Sequence, residues 1–67
     1  MLQPGNRVRV KREIYRYDLH LNTGTEGTVL EVIYSGTGVG ERIPYAKCLM
    51  DTGIIAALKI SSVERVD

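Results

Sequence analysis

The sequence predicts a small all-β barrel of five short strands, with a long first loop and a one-turn 3-10 helix before the last strand. Three observations carry this expectation. Apolar and charged residues alternate in Arg7-Val8-Arg9-Val10-Lys11, the period of a strand with one buried and one wet face, and Ile54, Ala56, Leu58 and Ile60 recur at every second position. β-Branched and aromatic residues crowd Gly27 to Tyr34, as in strands packed on a pleated surface. Turn formers punctuate the chain at Pro4-Gly5, Ser35 to Gly40 and Asp51-Thr52-Gly53, which leaves segments of strand length between them.

The first strand runs from Gly5 to Lys11. Periodicity then fails from Arg12 to Thr25, where tyrosines, charges, His20, Asn22 and Gly24 leave only Ile14, Leu19 and Leu21 as anchors; this reads as an ordered, hairpin-like loop over one barrel mouth. Gly27 to Tyr34 is the second strand, with Gly27 suited to a bulge or a close backbone approach at its start. Ser35 to Glu41 carries three glycines at alternate positions and reads as a flexible loop ended by Pro44. Tyr45 to Asp51 is the third strand, and Asp51-Thr52-Gly53 is a tight turn closed by glycine at positive φ. In the fourth strand Ile54, Ala56, Leu58 and Ile60 share one face, with Ile55, Ala57 and Lys59 on the other. Ser61-Ser62 suggests a single helical turn before a short fifth strand, Val63 to Val66. A helix over 53 to 66 is the competing reading, since Ala56, Ala57, Leu58 and Lys59 are good helix formers, but the alternation at Ile54, Ala56, Leu58 and Ile60 favours a strand. This order of elements describes an SH3-like barrel.

Sixty-seven residues make one domain, 1–67, with a thin core. A chain of this size hides only about 60 % of the surface exposed on unfolding, so many such modules lean on a partner. Cys48 is the only cysteine and His20 the only histidine, which excludes an internal disulfide and any known metal-ligand spacing. No run approaches the roughly 20 apolar residues of a membrane span, and with one unpaired cysteine the expected location is the cytoplasm or an equivalent soluble, reducing compartment such as a plastid stroma. No membrane insertion, metal or cofactor is expected.

Net charge is only +1, but it is unevenly placed. Residues 1 to 20 hold five basic against two acidic side chains, a net of +3, and residues 21 to 67 hold four against six, a net of −2. A local positive patch attracts an acidic protein surface or a nucleic-acid backbone alike.

The order Gly5 to Lys11, a Tyr-bearing loop, Glu26-Gly27-Thr28-Val29, Ile43-Pro44-Tyr45 opening a strand, and Ser62-Val63-Glu64-Arg65-Val66 at the end resembles the ferredoxin-thioredoxin reductase variable chain. It is also similar to other electron-transfer accessory barrels, such as the ferredoxin-docking peripheral subunit of photosystem I. The resemblance spans the chain. Its narrowest features are Val8-Arg9-Val10-Lys11 with Tyr15 or Tyr17, and Pro44-Tyr45. It implies a subunit without a cofactor of its own that clamps or shields an iron-sulfur partner, or attracts a thioredoxin- or ferredoxin-related one.

Candidate partner-binding residues are Arg7, Arg9 and Lys11, projecting from one strand face, and Tyr15, Arg16, Tyr17 and His20, the densest polar-aromatic cluster; Arg42 joins them beside the glycine-rich loop. Tyrosine and arginine anchor interfaces because they bury large area at modest entropic cost. Each set has a plainer reading: the cations as a solvated face that discourages edge pairing, and one tyrosine as a cap on a core lacking Phe and Trp. Gly36-x-Gly38-x-Gly40 lacks the following helix and lysine of a phosphate cradle, Gly24-x-x-Gly27 lacks the helices of a KH domain, and Cys48 alternates with Ala46 and Met50 as an inward-facing hydrophobe. No carboxylate is spaced for catalysis. The expected function is therefore a non-catalytic accessory or regulatory subunit docking onto a larger redox partner, with a KOW-like nucleic-acid- or ribosome-binding barrel as the alternative. Near-balanced charge speaks against the latter.

Overall fold

A computed structural model describes residues 1–36 and 42–67. The chain runs β1 (Arg7–Val10), β2 (Ile14–Arg16), β3 (Leu19–Leu21), β4 (Glu26–Gly36), β5 (Arg42–Met50), β6 (Ile55–Lys59), a 3-10 turn (Ile60–Ser62) and β7 (Val63–Arg65). Five strands form one antiparallel sheet in the order β6-β5-β4-β1-β7, while β2 and β3 pair as a separate hairpin inside the long first loop. The architecture is a small all-β, antiparallel, barrel-like fold, as expected, with the β2–β3 pair added to the five strands that the sequence predicts.

Alternation places one residue in two on the inner face. Val8, Val10, Val29, Ala46, Cys48, Met50 and Leu58 are essentially inaccessible, and Leu2, Leu21, Ala56 and Val63 complete the buried set, with no polar side chain among them. The Cys48 thiol lies 3.5 Å from the Ala46 carbonyl oxygen and burial pushes its pKa up, so it packs as a hydrophobe rather than reacting as a thiolate. A bulge between Val29 and Glu31 breaks the β4–β5 register, and such an insertion bends a long strand so that its sheet can curl.

Three turns take the conformation their sequence demands. Gly5, Gly24 and Gly53 all have φ near +90°, a region that costs L residues about 1 kcal/mol or more. At Met50 to Gly53 the Gly53 N–H donates to the Met50 carbonyl at 2.8 Å and the Met50 N–H to the Ile54 carbonyl at 2.8 Å, closing the β5–β6 hairpin. Gly27 meets the other glycine requirement, close approach: a Cβ there would lie 2.8 Å from the Leu49 carbonyl oxygen and 2.9 Å from Met50 Cα.

Several boundaries differ from expectation. Residues 53 to 59 form no helix; Ala56 and Leu58 face inward, but Ile54 lies outside the strand and is exposed, and Ile60 is half-buried in the 3-10 turn. β4 continues to Gly36 and β5 starts at Arg42, so strand replaces the start of the expected glycine loop; its remaining positions, 37 to 41, lie outside the described residues. Pro44 sits within β5, opposite Tyr34. The β5–β6 ladder has already ended at Tyr45–Lys59, so the proline's missing N–H costs no bond to β6. Leu2 belongs to the core although nothing local marks it: the Gly5 N–H donates to the Val29 carbonyl and the Val29 N–H to the Asn6 carbonyl, folding the N-terminus onto β4.

Candidate docking surface

The expected ladder of free cations on β1 is largely neutralised from within. Arg7 forks onto Asp51, with Nη1 to Oδ1 at 2.9 Å and Nη2 to Oδ2 at 2.6 Å, and also reaches Thr28 Oγ1 at 3.0 Å and Glu26 at 3.5 Å. Arg9 pairs with Glu26 at 3.1 Å and with Glu64 at 3.8 Å. Register explains both partners: Arg9 stands directly across from Glu26 on β4 and from Glu64 on β7, and opposite charges at facing positions attract. Lys11 alone of the three has no carboxylate at ion-pair distance among the described residues.

This network gives the fold an acid sensitivity with a definite sign. The Arg7 guanidinium holds the Asp51 carboxyl below the usual carboxylate range, chiefly through their hydrogen bonds. A depressed folded pKa adds stability above the unfolded value, and that stability is lost as pH falls through the folded pKa. Thermal unfolding followed from neutral pH down to about pH 3 should therefore show a shallower loss of Tm in Asp51→Asn than in the wild type. Parallel curves would remove Asp51 from the acid response.

The tyrosine cluster is assembled on the β2–β3 hairpin. Pairing sets Ile14 against Leu21 and Tyr15 against His20, so the two faces separate: Leu21 enters the core and Ile14 and Leu19 pack against it, while Tyr15 and His20 look outward. Their rings lie 4.9 Å apart between centroids at 52°, within the range of favourable tilted aromatic contacts. His20 Nε2 sits 2.8 Å from Glu13 Oε2, a partner that sequence reading missed and that the hairpin register alone reveals. Tyr15 is 78 % exposed, and Tyr17, in the turn, is fully exposed. No tyrosine enters the buried core; the most enclosed, Tyr45, is half-buried. Arg16 is exposed at the hairpin end, and Arg42 is exposed on β5 opposite Gly36. The structure thus gathers Tyr15, Arg16, Tyr17 and His20 on one hairpin and leaves Arg42 on a separate one.

A second surface was not singled out by sequence. Leu49 and Ile55 are cross-strand neighbours on the outer face of β5 and β6, 42 % and 57 % exposed, with the equally exposed Ile54 beside them. The signal was present: Leu49 is flanked by the inward Cys48 and Met50, and Ile55 by Ala56, so both had to face out.

The Glu13–His20 pair is about half exposed, and among the described residues no three His, Cys, Asp or Glu side chains gather as a metal-ligand group. No helix among them is long and apolar enough to cross a membrane. Fold and surface together define a small antiparallel barrel presenting an exposed aromatic hairpin. Neither a protein-family model, nor a curated protein, nor a solved structure matches the chain.

Proposed function

We propose that this chain is a non-catalytic accessory subunit that docks onto a larger protein through the outward face of the β2–β3 hairpin. One observation carries the reading: Tyr15 and Tyr17 lie open to solvent on a hairpin anchored from beneath by Ile14, Leu19 and Leu21. Large amphipathic side chains on an anchored support lose little further entropy on binding, which is how preorganised anchors gain affinity. Internal neutralisation of Arg7 and Arg9 weighs against the nucleic-acid alternative, since a phosphate-tracking face needs its cations unpaired. The partner class follows from the resemblance noted above: an iron-sulfur protein, or a thioredoxin- or ferredoxin-related one, with the cofactor held by the partner.

A photo-cross-linking amino acid at Tyr17, used in the chain's native host, tests both levels. The expected adduct is with a protein bearing the visible absorbance of an iron-sulfur cluster or a thioredoxin-type dithiol. Adducts confined to other proteins would end the redox assignment, and adducts with RNA would end the docking reading. Against the captured partner, Tyr15→Ala and Tyr17→Ala should each weaken binding about 30-fold, the effect of a hot-spot residue worth about 2 kcal/mol. Tm should hardly move, because neither ring is part of the core.

A further inference from the structure

Where β1 passes into the hairpin loop, a cleft of about 380 Å³ opens beside the 3-10 turn, lined by Lys11, Arg12, Ser61 and Ser62. Its walls are tied together. The Lys11 N–H donates to the Ser62 carbonyl at 2.9 Å, and Val10 pairs with Val63 in the β1–β7 ladder immediately beneath. Position is therefore set by backbone pairing, and only the side-chain tips are free to adjust.

The charge balance of this cleft differs from that of the rest of β1. Arg7 and Arg9 have their carboxylates, whereas among the described residues no acidic side chain lies within ion-pair distance of Lys11 or Arg12. The hydroxyls of Ser61 and Ser62 take part in no hydrogen bond among the described residues, and the 3-10 turn carries no acidic residue in its first turn. The residues lining this concave site thus carry one guanidinium, one ammonium and two hydroxyls, and no carboxylate.

We propose that this cleft binds a single phosphate-type oxyanion. The guanidinium fork of Arg12 suits two oxygens of a tetrahedral anion, Lys11 supplies a mobile point charge, and the two serines add neutral donors. The ligand is one anionic group and not a polyanionic strand, because β1 offers no further unpaired cation among the described residues: Arg7 and Arg9 are neutralised by Asp51, Glu26 and Glu64. The site stands independently of the hairpin docking reading, and its test needs no protein partner.

Inorganic phosphate is titrated into the ¹⁵N-labelled chain at constant ionic strength, with chloride as the matched control, while backbone amide shifts are followed. Saturable shifts are expected at residues 11, 12, 61 and 62 with phosphate and not with chloride. Lys11→Gln and Arg12→Gln should each weaken binding about tenfold, the loss of one charge-assisted hydrogen bond, and Ser62→Ala about threefold. Lys47→Gln, an exposed cation on β5 outside the cleft, should leave affinity unchanged. A phosphoserine peptide shifting the same amides, with its unphosphorylated form silent, would support a partner's modified side chain as the source; a response to free phosphate alone would support a small anion. Shifts equal to those of chloride would overturn the site, and this comparison needs no variant to fold. Affinity for oligothymidylate that climbs with length and falls steeply with salt would overturn the single-anion reading in favour of a nucleic-acid strand.

Discussion

Leu58→Ala should lower the stability of this domain by about 2–5 kcal/mol, the range for removing a fully buried leucine and leaving a cavity. Leu58 is inaccessible near the end of β6, paired across from the equally buried Ala46. At about 0.05–0.15 kcal/mol per residue, a chain of this length has only about 3–10 kcal/mol in total, so the loss is a large share of the whole. A fall in Tm of more than about 10 °C is expected by circular dichroism, since 1 kcal/mol moves a domain of this size by about 4–8 °C. Leu58→Met, which keeps the volume, should cost less than about 1.5 kcal/mol. Equal Tm values for the alanine variant and the wild type would mean that β6 does not close this core.

Gly27→Ala is expected to be the next most damaging change, at about 1–3 kcal/mol, although it adds only a methyl group. The new Cβ would sit 2.7 Å from Met50 Sδ, 2.8 Å from the Leu49 carbonyl oxygen and 2.9 Å from Met50 Cα. The thioether can swing aside, but two of these atoms are backbone. They lie where Gly27 pairs with Met50 and Thr28 with Leu49, so β4 and β5 would have to part. Gly36→Ala is the control: nothing lies within 4 Å of its added methyl, and its stability should stay within about 1 kcal/mol of the wild type. If both variants unfold together with the wild type, the close approach at Gly27 is not a constraint on the fold.

Much of the barrel was legible because its signals are local. Val8 and Val10, then Ala46, Cys48 and Met50, read as inward residues from alternation alone, and all are buried. Gly53 was legible from the demand of a short hairpin for positive φ, and Gly27 from the scarcity of reasons to place glycine at a strand start. Strand ends were less legible. The third strand read as starting at Tyr45, just past Pro44, yet proline is tolerated where one neighbouring strand has already ended, a fact that depends on how far β6 extends.

The docking residues divide along the same line. Tyr15, Arg16, Tyr17 and His20 are close in sequence, and a hairpin gathers them whatever the rest of the chain does. Arg7 and Arg9 also lie close together, but their meaning depended on residues far away: Asp51 is 44 positions from Arg7 and Glu26 is 17 from Arg9. Read along the chain, they were free cations beside a modest basic excess. Folded, they are members of an ion-pair network, while the neighbouring Lys11 and Arg12 have no carboxylate partner among the described residues.

The sequence by itself determined the strand class, much of the inward set and the glycine turn at Gly53, because alternation and glycine chemistry act between residues a few positions apart. Tertiary structure alone decided which cations stay unpaired, that Leu2 joins the core, that Glu13 meets His20, and that Leu49 and Ile55 share an exposed corner. Those outcomes depend on register between strands distant in sequence, and in a sheet a shift of one residue turns every side chain to the other face.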